Sequence, residues 1–314
     1  MTGNQVTVND RRVQRHKLWA HIWNHRYLYG MLVLPVLYYI IFCYWPMYGV
    51  QIAFRKYNAR LGVWGSPWVG LEYFQEYLLD PYFWKLVRNT LLLNVYSLIF
   101  SFPAPILLAL LLNEVRSSFF KKFVQSVSYL PHFISTVVVC GMVVNFLANS
   151  GPINDVLDNM GFERVQFLMK PEFFRTIYIA SGVWQNVGWS SIIYFAAISG
   201  VDPQQYEAAI IDGAGRFKQA IHVTLPAIIP TITIMLIMAV GGMMSVGYEK
   251  IILLYNGSTY ETADVISTYV YRRGIEGGSY SYSTAVGLFQ SVIGLLFIWG
   301  ANKFSATVSE NSLW

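Results

Sequence analysis

Long apolar stretches alternate with polar segments along the whole chain. Each stretch supplies the roughly 20 mainly apolar residues that a helix needs to cross a bilayer, and none contains Asp, Glu, Lys or Arg. Six stretches meet this requirement: 31–54, 90–112, 123–148, 177–199, 225–247 and 284–302. The pattern predicts an all-α polytopic membrane protein with six transmembrane helices. Prolines inside the first three stretches, among them Pro131, predict kinks.

The composition supports this interpretation. Hydrophobic residues make up 55% of the 314 residues and charged residues only 12%, whereas a soluble protein has about 25% charged residues. A net charge of +5 does not indicate nucleic-acid binding, because five of the 22 Lys and Arg lie in the first 30 residues and the others are scattered among loops. Cys43 and Cys140 lie in apolar stretches, so no disulfide framework is expected.

The side of the membrane that each end of the chain occupies follows from the number of spans and from the charges. Six spans place both termini on one side, and the loops of the two sides carry eleven Lys and Arg each. The basic tail at 1–30 breaks this tie and places both termini, including the tail at 303–314, in the cytoplasm. The first apolar stretch is too long for a signal peptide, so the N-terminus is expected to be retained.

The first external loop, 55–89, alternates aromatic and polar residues. This pattern is typical of an amphipathic helix at the membrane interface. A loop packed against the ends of the spanning helices would have the same pattern. Either arrangement would offer a surface to a soluble partner.

The segment between the fourth and fifth stretches predicts a short cytoplasmic helix at 203–213. Asp202 is a favourable N-cap, Pro203 fits the first helical position and Gly213 is a natural stop. One face of this helix would carry four residues at helical spacing: Tyr206, Ala209, Ile210 and Gly213. A helix of this length cannot cross a membrane. It would either be held by another protein or be an ordinary connection packed on its own bundle.

This segment also carries a motif. Glu207-Ala208-Ala209 is followed after three residues by Gly213, and after nine more by Val223-Thr224-Leu225-Pro226. The spacing resembles the signature of the permease subunits of bacterial ABC importers, with Val223 where isoleucine is usual. Segments outside the motif resemble the oligosaccharide-importer branch, and within it the permeases of alginate importers are most similar: Pro46-Met47-Tyr48-Gly49, Tyr260–Tyr269, Tyr282–Gln290 and Ser312-Leu313-Trp314.

The resemblance implies a type I importer fold, with 90–302 as the permease core, in the bacterial inner membrane. It implies a second permease subunit, related to this chain and not identical to it, two cytoplasmic ATPase subunits and an extracytoplasmic solute-binding protein. The helix at 203–213 would be the coupling helix, in which Glu207 makes a polar contact with the ATPase, Ala208 and Ala209 pack closely and Gly213 turns the chain away; Leu225 and Pro226 complete the motif.

The chain itself is expected to be a transport subunit and not an enzyme. It contains no phosphate-binding sequence of the form Gly-x-x-x-x-Gly-Lys-Ser/Thr, so ATP and Mg²⁺ belong to a separate ATPase polypeptide. No cofactor is expected on this chain. A metal site formed by His16, His21 and His25 lacks carboxylate and cysteine partners, and solvated helix residues are the simpler interpretation.

Polar and aromatic residues inside the spans are the candidates for a solute pathway. They comprise His132, Asn94, Tyr96, Asn145, Trp184, Gln185, Asn186, Trp189, Tyr194 and Gln290. Amides beside indole rings suit hydroxyl-rich ligands, although amides also bridge helices and aromatic side chains fill bundles. His132, together with Arg272 and Arg273 near the outer surface, motivates the hypothesis that the solute is acidic.

Two other classes of protein fit parts of the pattern. A self-sufficient secondary transporter or channel would need coupling-ion ligands or charged groups in the membrane, and the six stretches contain no Asp, Glu, Lys or Arg. A membrane receptor or scaffold would use the 203–213 helix to bind some other cytoplasmic protein. Neither class explains the spacing from Glu207 to Pro226.

Overall fold

The computed structural model describes residues 23–308, and helices dominate this part of the chain. Among the described residues there is no strand, only two isolated β-bridges in the loop that follows the first helix. The principal helices are α1 (Arg26–Phe54), α2 (Glu72–Leu79), α3 (Phe83–Glu114), α4 (Ser118–Tyr129), α5 (Thr136–Leu147), α6 (Pro152–Asn159), α7 (Pro171–Ser199), α8 (Pro203–Ile211), α9 (Arg216–Gly241), α10 (Tyr248–Leu254), α11 (Ile266–Tyr271) and α12 (Tyr280–Val308). The all-α class predicted from the sequence is confirmed.

Five segments of residues 23–308 are long and apolar enough to cross a membrane: Arg26–Phe54, Phe83–Glu114, Thr136–Asn159, Arg216–Gly241 and Tyr280–Thr307. The fourth predicted span, 177–199, lies within α7. At 29 residues and 1.5 Å per residue, α7 is about 43 Å long, which is enough to cross a bilayer. Amide and serine side chains in its middle make it less apolar than the five segments.

The third predicted span, 123–148, is divided in the structure. α4 ends at Tyr129, the chain passes through the tight turn Leu130–Phe133, and α5 begins only at Thr136. Pro131 has no backbone N–H to continue α4. Ser135 then caps α5, because its hydroxyl accepts a hydrogen bond from the backbone N–H of Val138 at 3.4 Å. The break places polar side chains where the sequence predicts a continuous helix.

Prolines in α1, α3 and α9 are accommodated by a wider helical turn. A π turn precedes each of Pro46, Pro103 and Pro226 and ends two residues before it. The ring of a proline clashes with the carbonyl four residues earlier and leaves it without a donor. The wider turn shifts hydrogen bonding to the residue five positions away, as between Phe102 N and Ser97 O at 3.1 Å.

The first predicted external loop, 55–89, packs on the ends of the spanning helices. Tyr77 of α2 is 1% exposed, and its ring contacts those of Phe83, Tyr282 and Phe289 with centroids 5.0–6.2 Å apart. α3 begins at Phe83, so the last residues of the predicted loop are helical. Part of the aromatic pattern therefore serves packing, whereas Trp64, Trp68, Tyr82 and Trp84 are exposed, as an interfacial segment would require.

The buried core surrounds α3 and α7. One buried cluster joins α3, α5, α7 and α10, a second joins α2, α3, α11 and α12, and a third joins α3, α7 and α9. α1 differs from the other spanning segments, since no side chain of its most apolar stretch is buried against the rest of the described chain. The fold is a bundle centred on α7. α1 packs on α12 through its last turns, where Ala53 is buried, whereas the side chains of 26–48 are exposed.

Candidate functional site

A cavity of about 650 Å³ lies beside the middle of α7. Its wall is formed by α3, by the break between α4 and α5, by α7 and by the start of α10. The polar side chains of the wall are Ser97, Ser101, His132, Ser135, Thr136, Gln185, Asn186, Ser190, Glu249 and Lys250. Hydroxyls and amides donate and accept hydrogen bonds, so this wall suits a neutral, hydroxyl-rich ligand at most positions.

Three of the predicted pathway residues meet at this cavity. Gln185 is 8% exposed, and its Nε2 donates to the backbone oxygen of Ile134 at 3.1 Å. Asn186 donates from Nδ2 to Gly182 O and pairs through Oδ1 with Nδ1 of His132 at 3.0 Å. The break after Tyr129 therefore positions His132 against α7, where sequence patterns could not place it.

The ring of His132 also stacks on Trp189. Their centroids are 4.7 Å apart and the rings are nearly parallel, at 4°. Trp189 itself lines a neighbouring cavity of about 550 Å³ together with Tyr194. The amide of Asn186 and the indole of Trp189 thus hold the ring of His132 in place, and part of this ring still faces the cavity.

The other predicted pathway residues lie elsewhere. Trp184 lines a separate apolar cavity of about 550 Å³, because consecutive residues of a helix point about 100° apart. Asn94 and Gln290 tie α3 and α12 to the turn after α9 by donating to Met243 O and Met244 O, at 2.9 Å and 2.8 Å. Tyr96 stacks on Phe100, and Asn145 is exposed on α5.

Sequence patterns missed Glu249 and Lys250, which also line the large cavity. Both follow the fifth apolar stretch, so hydropathy assigns them to an external loop. Ile251 and Leu254, which are 0% and 5% exposed, anchor α10 in the core and bring these charges to the cavity. The available signal was the pair Glu249-Lys250 within an otherwise apolar run.

The two arginines proposed to attract an acidic solute are neutralised by carboxylates. Arg272 forms two hydrogen bonds with Asp264, at 2.8 Å and 2.7 Å, and these raise the pKa of Arg272 above its ordinary value. Arg273 donates to Glu76 at 2.6 Å and lies 3.4 Å from Asp80. Both arginines therefore tie the loops of this end of the bundle together.

The predicted coupling segment forms the helix α8, Pro203–Ile211, two residues shorter than the predicted 203–213. Its N-terminus is capped as expected, because the Asp202 carboxylate accepts from Gln204 N at 2.9 Å. Gly213 has φ +76°, a conformation that glycine adopts without strain. The turn therefore requires the glycine of the motif.

One side of α8 is tied to the bundle and the other is free. Tyr206 OH lies 3.0 Å from Thr224 Oγ1, one residue before Leu225 at the start of the apolar part of α9. Glu207 and Ala208 are exposed, as are Ile210 and Ile211, at 60% and 86%. Ala209 is half-buried. The free side thus combines a carboxylate with apolar surface.

No group of three or more His, Cys, Asp or Glu side chains within residues 23–308 is arranged to hold a metal ion. Two of the three histidines considered for such a site, His16 and His21, lie outside the described residues.

The region from α3 to α12 has a family match. Residues 87–309 match the family described as the binding-protein-dependent transport system inner membrane component. The chain belongs to this permease family. It is accordingly a membrane transport subunit and not an enzyme, as the sequence predicted.

Curated relatives of the permease cover nearly its whole length. Protein LplB of Bacillus subtilis (strain 168) is 45% identical over 295 residues, 94% of this chain and 93% of the relative. The polygalacturonan/rhamnogalacturonan transport system permease protein YteP of the same organism is 44% identical over 305 residues, 97% and 95% of the two chains.

Solved structures resemble the permease closely. A chain of a bacterial ABC transporter involved in the import of the acidic polysaccharide alginate superposes with a TM-score of 0.85 at 45% identity, covering 93% of this permease and 99% of that chain. A chain of the alginate ABC transporter in complex with an alginate pentasaccharide-bound periplasmic protein gives a TM-score of 0.86 at 44% identity, covering 95% and 100%. The type I importer fold implied by the motif is thereby confirmed.

Proposed function

We propose that the permease moves an oligosaccharide across the bacterial inner membrane through the large cavity beside α7. A solute-binding protein would deliver the sugar, and a separate ATPase would drive alternating access. The polar wall formed by Gln185, Asn186, His132 and the surrounding hydroxyls is the observation that carries this proposal. Amides and hydroxyls along this wall can form the hydrogen bonds that a sugar loses when it leaves water and enters the membrane.

The substrate class is proposed from the relatives and from the cavity together. One relative is named for polygalacturonan and rhamnogalacturonan transport, and the structural neighbours belong to an importer of the acidic polysaccharide alginate. Polymers of this kind carry both hydroxyls and carboxylates. An acidic oligosaccharide therefore fits the polar cavity of this permease.

The free side of α8 is proposed to enter a cleft of the cytoplasmic ATPase. Exposed Ile210 and Ile211 would be covered there, and Glu207 would make a polar contact at the edge. Phe217, 78% exposed just beyond the turn at Gly213, extends the same apolar surface. This proposal places α8 and both termini on the cytoplasmic side.

A second permease is proposed to pack on this one, and two ATPase subunits would serve the pair. α1 supports the pairing, because no side chain of its most apolar stretch is buried against the described bundle. Lipid would cover whatever part of α1 the second subunit leaves free. We favour a related chain over an identical copy, as the resemblance implies.

Co-purification in mild detergent, followed by an assay of ATP hydrolysis, tests the assembly. The expected result is a complex with a second permease and an ATPase, whose activity rises when the sugar-loaded binding protein is added. A lone permease without ATPase would refute the proposal and return α8 to an ordinary connection.

Glu207→Lys tests the coupling role of α8 separately. The variant should insert normally, since the side chain is exposed on a short helix outside the spans, but transport and stimulated ATP hydrolysis should fall. Gln205→Lys introduces the same lysine side chain on another exposed face of α8 and should leave transport unchanged. Wild-type transport by Glu207→Lys in vesicles would show that the coupling assignment is wrong.

A further inference from the structure

Lys250 projects from α10 onto the wall of the large cavity. Its Nζ donates to Tyr178 O at 2.9 Å and lies 4.8 Å from the centre of the Tyr178 ring. Gly182, one turn further along α7, leaves room for the amine, since a Cβ there would lie 3.2 Å from Nζ. Contacts with α7 therefore hold the amine at the edge of the cavity.

The charge of Lys250 is not balanced by a carboxylate of the described chain. Arg164, Arg272 and Arg273 form ion pairs with Asp or Glu. Within residues 23–308 Lys250 forms none; Arg55 and Arg175 also lack an ion pair there, but they donate to oxygens of Ser66 and Asn89. Glu249 also lines the cavity, but no ion pair joins its carboxylate to Lys250 in the described part of the chain. An unpaired ammonium away from bulk water is costly unless something compensates it.

The surroundings of Lys250 indicate what would compensate it. A lysine ammonium has three N–H donors, and Tyr178 O accepts one of them. The same cavity is lined by the amide of Asn186, one turn of α7 beyond Gly182, and by the ring of His132. A ligand that satisfies all of these groups carries an anionic group next to neutral hydroxyls, which is the chemistry of a uronic acid residue.

We propose that Lys250 is the carboxylate-binding residue of the permease and selects oligosaccharides that contain uronic acids. This inference rests on the proposed function, because it assigns a substrate-selecting role within the same cavity. Arg272 and Arg273, which the sequence suggested for this role, are already paired with carboxylates of this chain and do not select the substrate.

The test compares two substitutions of Lys250 in the complete importer reconstituted in proteoliposomes. Lys250→Gln keeps an N–H donor for Tyr178 O but removes the charge, and Lys250→Arg keeps both. Lys170→Gln is the matched control, because it removes the same charge from an exposed lysine that does not line the cavity. Uptake of trigalacturonate, of an alginate trisaccharide and of neutral maltotriose is measured together with ATP hydrolysis stimulated by the loaded binding protein.

Loss of a charge-assisted hydrogen bond should lower uptake of the acidic sugars about tenfold in Lys250→Gln. Lys250→Arg and Lys170→Gln should keep most of it, and all three variants should keep stimulated ATP hydrolysis, since no residue of α8 lines this cavity. An equal fall in the Gln and Arg variants, or loss of the assembled complex in the Gln variant, would assign Lys250 to packing and overturn the inference.

The controls separate this inference from the proposed function. A wild-type importer that takes up maltotriose and neither acidic sugar would overturn the role of Lys250 and leave the importer intact. A wild-type complex without uptake and without stimulated ATP hydrolysis would refute the proposed function, and the inference with it.

Discussion

Gly188 lies where α7 comes closest to α4, and this contact yields a sharp prediction. A Cβ at this position would overlap the backbone oxygen of Ser128 and would lie 2.9 Å from Tyr129 N. Both neighbours are backbone atoms, so no side-chain rotation can relieve the overlap. Gly188→Ala must therefore push the two helices apart.

The size of the effect follows from two opposing terms. Alanine is favoured over glycine inside a helix by about 1 kcal/mol, whereas overpacking a close contact typically costs about 1–3 kcal/mol and occasionally more. Because the obstacle is backbone, we place the cost at the upper end of this range. The net expectation is a loss of about 2 kcal/mol in the free energy of unfolding.

Thermal denaturation of the detergent-purified permease measures this loss. Gly141→Ala in α5 is the matched control, because no atom lies within 4 Å of a Cβ built there. Its melting temperature should stay the same or rise slightly, while that of Gly188→Ala should fall by roughly 4 °C. Equal melting temperatures for the two variants would refute the claim that α4 and α7 touch through their backbones at Gly188.

Two further substitutions test contacts at opposite ends of the bundle. Asp264→Asn removes the charge that pairs with Arg272 and should cost about 3 kcal/mol in the free energy of unfolding, since the carboxylate is nearly buried. The melting temperature of this variant should therefore fall, whereas Asp158→Asn, in an exposed ion pair, should melt like wild type. Tyr206→Phe removes the hydrogen bond to Thr224 and should raise the ATP hydrolysed per sugar imported, because α8 is then held less firmly to α9. An unchanged ratio of ATP hydrolysed to sugar imported would show that this hydrogen bond plays no part in coupling ATP hydrolysis to transport.

The helices of this permease are largely predictable from its sequence, because hydropathy and capping act locally. Five of the six predicted spans overlap segments that are long and apolar enough to cross a membrane. α8 forms with its Asp202 cap and its turn at Gly213, as expected. The division of the third span was harder to predict from the sequence. Pro131 predicts only a kink, and the start of a new helix at Thr136 depends on the cap formed by Ser135.

The cavity was only partly predictable, because its wall depends on packing between distant segments. Gln185 and Asn186 are adjacent to Trp184 in sequence, yet the amides face the polar cavity and the indole faces an apolar one. Lys250 illustrates the limit more clearly. Hydropathy places it in a loop, and only the burial of its neighbours in α10 brings it beside α7.

The isolation of α1 has a consequence for how the cell must make this protein. A chain whose first spanning helix buries no side chain between residues 26 and 48 exposes a long apolar surface until another subunit or lipid covers it. We expect copies made in excess of their partner to be recognised as orphans by membrane proteases and degraded. Balanced synthesis of the subunits would then set the number of finished importers.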